Sequence, residues 1–330
     1  MGPNFEIRKQ AESPRQEIEL DTARSFPFSE NGRNGDWKTI DKKGRKVEGA
    51  YYKSGKENND LIIFIPGMPG DGVVWFEEKH LSMLLKEGFD VFVARHGGIL
   101  TNEEGKRVLN NSTRNDLGLA TGNGEMHITD WMDEPKILME YFAGKQVTFI
   151  THSLGSVALA HSLIDINQRE NHDLHAHYAR PKKWINLSGP TYTYDTYKEK
   201  YQDSWKWYFD NKLDKICNVE DKDAELAALE QALKEVSGNL DKIDLFNALQ
   251  TISVIPEEDE YVGSEGSLNL QNQMGAGLIL KDRTIKKADL PDDREVHDFE
   301  HMTDETLKRF VLMKMNQNKH TFTLKNNPNA

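Results

Sequence analysis

Ser153 stands where an apolar segment runs directly into a helical pattern. Residues 147–150, Val-Thr-Phe-Ile, have the composition of a buried strand, and Thr-His-Ser-Leu-Gly leads from them into a predicted helix over residues 154–166. A serine at such a turn projects from the carboxyl edge of a sheet, and its neighbours two positions away must be small. Gly155 meets this requirement fully and Thr151 less well. A helix-capping serine explains neither the glycine nor the strand, so we predict a nucleophile.

A second segment has the composition of a loop that binds a developing negative charge. Residues 66–70, Pro-Gly-Met-Pro-Gly, follow a buried apolar run over residues 61–65. The loop resembles the His-Gly-Gly-Pro-Gly or His-Gly-x-Pro oxyanion loop of the α/β-hydrolase superfamily, with proline in place of histidine. The serine turn also resembles that of lipases in this superfamily that carry threonine two residues before the serine. The resemblance covers roughly residues 37–310 and implies an oxyanion hole made by the backbone N–H groups of Met68 and Leu154.

The resemblance also implies a catalytic acid just after the seventh strand. Residues 255–262, Ile-Pro-Glu-Glu-Asp-Glu-Tyr-Val, resemble the Gly-x-x-Asp-x-x-Val pattern of the family. This match aligns Asp259 with the acid. Glu258 is the alternative, and the remaining acidic residues are expected to form a solvated loop.

The family places its histidine in a loop that ends at the last helix. Residues 296–303, Val-His-Asp-Phe-Glu-His-Met-Thr, contain two histidines. The resemblance favours His301 over His297 because His301 is nearer the predicted helix start at Asp304. Serine, acid and histidine then follow one another in the order of the fold.

These roles define an acyl-transfer mechanism. His301 would remove the proton of Ser153 during attack on a carbonyl carbon and deliver it to the leaving group. Asp259 would orient the imidazole, and water would release the acyl enzyme. This chemistry requires no metal and no organic cofactor. No His-Glu-x-x-His pattern is present in the sequence, so no metal site is predicted.

Alternating strand and helix patterns predict the scaffold for this site, a doubly wound, mostly parallel α/β sheet with a helical cap insert. Tyr197, Tyr201 and Trp205 lie on one face of the first predicted cap helix, where they either pack against the core or line the substrate pocket. After a poorly patterned stretch, the chain is expected to finish with a helix over about residues 304–315. The predicted parts are an N-terminal arm (1–36), a first core part (37–189), the helical cap or lid (190–250) and a second core part (251–330).

Composition restricts the partners. The 330 residues carry a formal net charge of -12, which disfavours nucleic acid, and no apolar run approaches the ~20 residues of a membrane span. The first residues lack the apolar segment of a secretory signal, and the single cysteine, Cys217, excludes an intramolecular disulfide. We therefore expect a cytoplasmic protein that acts on a small-molecule ester or amide. No pattern in the sequence specifies an oligomeric state.

Three functions are compatible with these patterns. The first is hydrolysis of a carboxylic ester or thioester. The second is a proline iminopeptidase-like activity, which the Gly-x-Pro-Gly loop and the large insert resemble, with Glu225 or Glu230 binding a substrate ammonium group. The third is a catalytically inactive ligand-binding protein of the same fold, which the complete set of serine, histidine and acid disfavours.

Overall fold

A mixed nine-stranded sheet organises the part of the chain that the computed structural model describes. The described residues are 35–42, 44–57, 59–68, 73–98, 125–169, 177–213, 217–243, 249–259, 261–263, 269–270, 273, 278–282, 296–299, 302–313 and 320–324. The predicted N-terminal arm therefore lies outside them, apart from its last two residues.

The strands run mostly parallel, as the alternating sequence pattern predicts. Their order across the sheet is β1-β2-β4-β3-β5-β6-β7-β8-β9, in which β2 pairs antiparallel with β1 and β4 and the remaining pairs are parallel. Parallel pairing brings the carboxyl ends of β3 to β8 to one edge, where loops can gather functional groups. The strands are β1 Asp36–Lys42, β2 Arg45–Tyr52, β3 Asp60–Ile65, β4 Asp90–Arg95, β5 Gln146–His152, β6 Arg180–Leu187, β7 Gln250–Pro256, β8 Leu278–Asp282 and β9 His320–Leu324.

Helices connect the strands and cover the sheet on both faces. Side chains alternate along β3, so that Leu61 and Ile63 enter one buried cluster with helix α3, whereas Ile62 and Phe64 enter another with helices α2 and α8. The helices are α1 Val73–Trp75, α2 Leu81–Glu87, α3 Ile128–Tyr141, α4 Leu154–Arg169, α5 Tyr194–Thr196, α6 Gln202–Asn211, α7 Lys222–Ser237 and α8 Asp304–Leu312, with π-helical segments Phe76–His80 and Tyr197–Tyr201 and 3₁₀ turns Leu240–Lys242 and Val296–Asp298.

Helices α5, α6 and α7 lie between β6 and β7, in the stretch where the sequence lacks strand patterns. The buried face of α7 includes Leu229, Leu233 and Val236, and this helix contacts α3 and α4. The insert is therefore packed against the helices on one face of the sheet. Among the described residues, no helix combines the length and the apolar character that crossing a bilayer requires.

The far edge of the sheet differs from the sequence-based expectation. The stretch after β7 contains β8, and the described chain ends in β9 rather than in the helix expected over residues 304–315. The helix itself is shorter and ends at Leu312. Both strands have only five residues, and β9 pairs on one side only, so they lack the long apolar runs that mark central strands.

Candidate active site

Ser153 occupies the turn between β5 and α4. Its φ is 47°, a left-handed conformation that is uncommon for a residue with a side chain. Two backbone hydrogen bonds hold this turn: the Ser153 N–H donates to the Leu187 carbonyl at 2.9 Å, and the Ser156 N–H donates to the Ser153 carbonyl at 3.0 Å. The strained serine is therefore fixed between the end of β6 and the first turn of α4.

Two glycines allow the serine turn and the loop after β3 to approach each other. A Cβ atom on Gly155 would lie 2.5 Å from the Pro66 carbonyl oxygen and 2.6 Å from that of Ile65. A Cβ atom on Gly67 would lie 2.9 Å from Ser153 Cβ. The start of α4 and the Gly67 loop thus pack too closely around the serine for any side chain at either glycine.

The hydroxyl of Thr151 explains why threonine stands where glycine is usual. It accepts a hydrogen bond from Trp184 Nε1 at 2.7 Å and lies 2.7 Å from Ser156 Oγ, which donates to Asn186 Oδ1 at 2.8 Å. All four side chains are buried. This chain of hydrogen bonds ties β5 and the first turn of α4 to β6, so it supports the backbone on both sides of Ser153.

Asp259 forms a buried pair with His297. Its carboxylate oxygens lie 3.0 and 3.1 Å from His297 Nδ1, and only 1% of the Asp259 side chain is exposed. The structure therefore pairs the predicted acid with His297, the histidine that the family resemblance does not favour. His301, which the family resemblance favours as the base, lies outside the described residues, and the alternative acid Glu258 is exposed.

The local backbone explains how His297 reaches the acid. His297 is in the 3₁₀ turn Val296–Asp298, and the next residue, Phe299, has a φ of 54°. His152 Nε2 donates a hydrogen bond to the His297 carbonyl at 2.9 Å, and the two ring centroids are 4.9 Å apart. This contact brings His297 next to the residue that precedes Ser153.

The surroundings of Asp259 favour its ionised form. Burial by itself raises the pKa of this carboxyl, but the charge of His297 and hydrogen bonds from His297, Ser188 and the Val262 N–H lower the pKa below its ordinary value. Ser188 Oγ donates to Asp259 Oδ2 at 2.5 Å, and the Tyr261 and Val262 N–H groups donate to Oδ1 at 2.9 and 2.8 Å. Sequence patterns gave no signal for Ser188, which lies in the turn after β6.

The aromatic residues of the insert lie at different depths. Tyr197 is fully buried and its hydroxyl donates to Glu230 at 3.0 Å, so this side chain packs within the insert. Tyr201 and Trp205 are partly buried and contact Tyr192, a residue that the sequence patterns did not single out: Tyr201 stacks on it at 4.8 Å, and Trp205 Nε1 donates to its hydroxyl at 3.2 Å.

The two carboxylates considered for an ammonium site are engaged elsewhere. Glu225 accepts hydrogen bonds from the Ile128 N–H at 2.7 Å and lies 2.9 Å from His127 Nδ1. Glu230 accepts from Tyr197 and from Gln202 Nε2, the latter at 2.7 Å. Both therefore hold the insert together or dock it on α3. Within the described ranges, no group of three or more His, Cys, Asp and Glu side chains is arranged to hold a metal ion.

The sheet order and the strained serine turn define an α/β-hydrolase fold, and a solved structure shares it. Est1E from Butyrivibrio proteoclasticus has a TM-score of 0.52 and 16% sequence identity over 84% of this chain and 97% of its own. An esterase from Pyrococcus furiosus has a TM-score of 0.45 and 14% identity over 84% of this chain and 91% of its own. No protein-family model and no curated protein sequence matches the chain.

Proposed function

We propose that this chain is a serine hydrolase that cleaves a carboxylic ester or thioester of a small molecule through an acyl-enzyme intermediate. Ser153 is the nucleophile, His297 the general base and Asp259 the acid that orients it. One observation carries the proposal: a buried Asp–His pair lies at the same sheet edge as a serine held at positive φ. That combination is the arrangement in which a histidine can activate a serine hydroxyl.

The contact between Asp259 and His297 assigns the proton positions. An ionised Asp259 accepts the Nδ1–H of His297, and this tautomer presents Nε2 as the proton acceptor. His297 removes the Ser153 proton as the oxygen attacks the carbonyl carbon, and the imidazolium then protonates the departing alcohol or thiol. Water, activated by the same histidine, hydrolyses the acyl enzyme.

The backbone N–H groups of Met68 and Leu154 stabilise the oxygen that becomes negative in this attack. Leu154 is the first residue of α4, and Met68 follows Gly67 in the loop that packs against Ser153. Backbone donors at such a position need no side chain, which is consistent with Pro66 in place of a histidine. One donor of this kind is typically worth about 3–4 kcal/mol of barrier.

The helical insert, residues 190–250, acts in this proposal as a cap over the substrate. Its Tyr201 hydroxyl accepts a hydrogen bond from the Gly263 N–H at 2.9 Å, which joins the insert to the segment that follows Asp259. Tyr201 and Trp205 are the proposed pocket residues of this cap, whereas Tyr197 is committed to internal packing. The engagement of Glu225 and Glu230 favours an ester over a substrate with a free ammonium group. The net charge of -12 and the single cysteine favour a cytoplasmic enzyme without a nucleic-acid partner.

The test is a substrate screen with the full chain. The substrates are p-nitrophenyl esters of increasing acyl length, matching thioesters and aminoacyl-naphthylamides. Turnover is compared for the wild type, Ser153→Ala and a control, Ser204→Ala, whose residue lies on the exposed face of α6. We expect ester or thioester hydrolysis by the wild type and the control and its loss in Ser153→Ala. Preferential cleavage of the aminoacyl substrates would overturn the ester assignment, and equal turnover by Ser153→Ala would overturn the nucleophile.

A further inference from the structure

A second buried histidine–carboxylate pair lies behind the loop that follows β3. His96 directly follows β4 and Glu134 belongs to α3; each is 2% exposed, and His96 Nδ1 is 2.7 Å from Glu134 Oε2. Neither residue belongs to the proposed triad. Burying two ionisable groups is costly unless their hydrogen bonds are satisfied. The hydrogen-bond partners of the pair therefore indicate what it does in the fold.

The other nitrogen of His96 points at the oxyanion loop. His96 Nε2 lies 3.1 Å from the Pro66 carbonyl oxygen. A carbonyl only accepts, so Nε2 carries a proton. Glu134 is compatible with this in either ionisation state: as a carboxylate it accepts from a doubly protonated ring, and as a neutral acid it donates to Nδ1. Burial raises the pKa of Glu134, and the His96 charge and hydrogen bond oppose that rise.

The imidazole has little freedom to turn away. The ring of His96 stacks on Trp131, with centroids 4.4 Å apart and planes inclined by 13°. Trp131 Nε1 in turn donates to the Gly97 carbonyl at 3.1 Å. The stack below the ring and the carboxylate on Nδ1 therefore fix the direction of the Nε2–H.

The Pro66 carbonyl that receives this hydrogen bond is held from two sides. His96 contacts it, and the start of α4 approaches so closely that a Cβ on Gly155 would lie 2.5 Å away. Because a peptide group is planar, the orientation of the Pro66 carbonyl also sets the direction of the Gly67 N–H. Gly67 is the loop residue that packs against Ser153, and Met68 follows it.

We propose that His96, held by Glu134, is a positioning residue that sets the orientation of the Gly67–Met68 loop and thereby aligns its backbone donors with the oxyanion. This inference rests on the proposed function, since it assigns a role in stabilising the charge that develops during ester cleavage. His96 touches neither substrate nor Ser153 in this role and acts through the Pro66 carbonyl.

Three variants test the role. His96→Phe keeps an aromatic ring on Trp131 but removes the donor to Pro66. Glu134→Gln retains a hydrogen-bond partner for Nδ1, whereas Glu134→Met removes it. His161→Phe is the matched control, because His161 is a partly buried histidine of α4 beside Glu235 and follows Gly155, the α4 residue next to the Pro66 carbonyl, by six positions.

The readouts separate alignment of the loop from simple loss of folded protein. The first readout is kcat and KM for a p-nitrophenyl ester, with kcat given per active site titrated with a fluorophosphonate. The second is the Tm. The third is the inhibition constant of a trifluoromethyl ketone, which forms a tetrahedral adduct with the serine. We expect kcat of His96→Phe and Glu134→Met to fall about 10- to 100-fold with KM little changed. Affinity for the ketone should fall in parallel with kcat/KM. The kcat values of Glu134→Gln and His161→Phe should stay within about threefold of the wild-type value. The amide of Glu134→Gln keeps a hydrogen-bond partner for His96 Nδ1, and His161 takes no part in the alignment of the loop.

Several outcomes would overturn the proposal. If His96→Phe turns over at the wild-type rate per titrated site, or if ketone affinity stays constant while kcat falls, the loop does not depend on His96. If His96→Phe fails to fold, equal kcat values for Glu134→Gln and Glu134→Met overturn the role in the same way. A wild-type chain without Ser153-dependent turnover overturns the proposed function and this inference together, whereas an active wild type with unaffected variants overturns this inference alone.

Discussion

Two serines, Ser153 and Ser188, adopt a φ of 47° at the carboxyl ends of neighbouring strands. In each case the serine N–H donates to a carbonyl on the next strand, Leu187 for Ser153 and Val254 for Ser188, both at 2.9 Å. The same strained turn thus occurs twice, side by side. In the proposed site, the first turn presents the nucleophile and the second aims its hydroxyl at Asp259.

Ser188→Ala tests whether the second turn serves the reaction. The substitution removes one hydrogen bond from the Asp259 carboxylate and leaves those from His297 and the backbone. We expect kcat to fall about 10-fold, as for other lost supports of a catalytic group, and the free energy of unfolding to fall by about 1 kcal/mol. Ser162→Ala, which removes a buried hydrogen bond to the Met132 carbonyl and one from the Lys136 N–H, is the control and should lower stability by at least as much without changing kcat. Equal kcat values for both variants would mean that Ser188 is structural only.

The identity of the base is decided by comparing the two nearby histidines. Because Asp259 pairs with His297, His297→Ala should lower kcat by at least about 1,000-fold, the order expected when a triad base is lost. His301→Ala should leave kcat within about threefold of the wild type. Initial rates on a single p-nitrophenyl ester, with folding checked by circular dichroism, are sufficient. The reverse ranking would restore His301 as the base.

At the scale of elements, the site depends on how closely α4 approaches the end of β3. Gly155→Ala places a methyl group about 2.5 Å from the Pro66 carbonyl oxygen, which is backbone and cannot move aside without shifting the loop. We expect a loss of about 1–3 kcal/mol in stability and a fall in kcat on the order of 100-fold. The control is Gly238→Ala, where the nearest atom would be 3.7 Å away. Retention of full kcat by Gly155→Ala would show that the reaction tolerates a displaced loop.

The central elements could be predicted from the sequence because burial on both faces leaves a continuous apolar run. The strands β3, β4 and β5 could be predicted in this way. The turn into α4 could be predicted from the spacing of Ser153 and Gly155. The strands β8 and β9 could not be predicted in the same way, since each has only five residues and β9, at the edge, has a single neighbour, so both carry a weak pattern.

Site residues supplied by loops were harder to predict than those at strand ends. Ser153 and Asp259 follow strands and could be proposed from the sequence. For the base, the sequence favoured His301 over His297 because His301 is nearer the start of the helix. The turn Val296–Asp298 and the positive φ of Phe299 determine which histidine meets the acid, and neither has a periodic pattern. Ser188 and His96 likewise make their contacts to Asp259 and Pro66 between distant segments, which no local motif encodes.

At the scale of the whole molecule, a single carboxylate helps to dock the insert on the core. Glu225 of α7 accepts the Ile128 N–H at the start of α3 and also pairs with His127. The hydrogen bond to Glu225 raises the pKa of His127, with smaller contributions from the charges of Asp130 and Glu125. Docking of the insert is therefore linked to the protonation of an exposed histidine.

The pH dependence of this docking follows from the direction of that shift. A folded-state pKa above the ordinary value of about 6.5 means that the His127–Glu225 pair stabilises the fold fully below pH 6.5 and that the contribution is lost as the pH rises through the higher folded value. The Tm difference between the wild type and Glu225→Gln should accordingly be larger at pH 5.5 than at pH 9. Glu199→Gln, on the exposed face of the insert, should show no such change. A Tm difference independent of pH would contradict the linkage.

The central claim, that Ser153 is an activated nucleophile, is tested most directly by mapping a covalent adduct. The full chain is incubated with a fluorophosphonate, digested and analysed by tandem mass spectrometry, alongside Ser153→Ala and Asp259→Asn. We expect one phosphonate on Ser153 in the wild type, slower labelling in Asp259→Asn because the base is less well oriented, and none in Ser153→Ala. An unmodified Ser153 under conditions that fully label a known serine hydrolase, or equal labelling of Ser153→Ala, would contradict it.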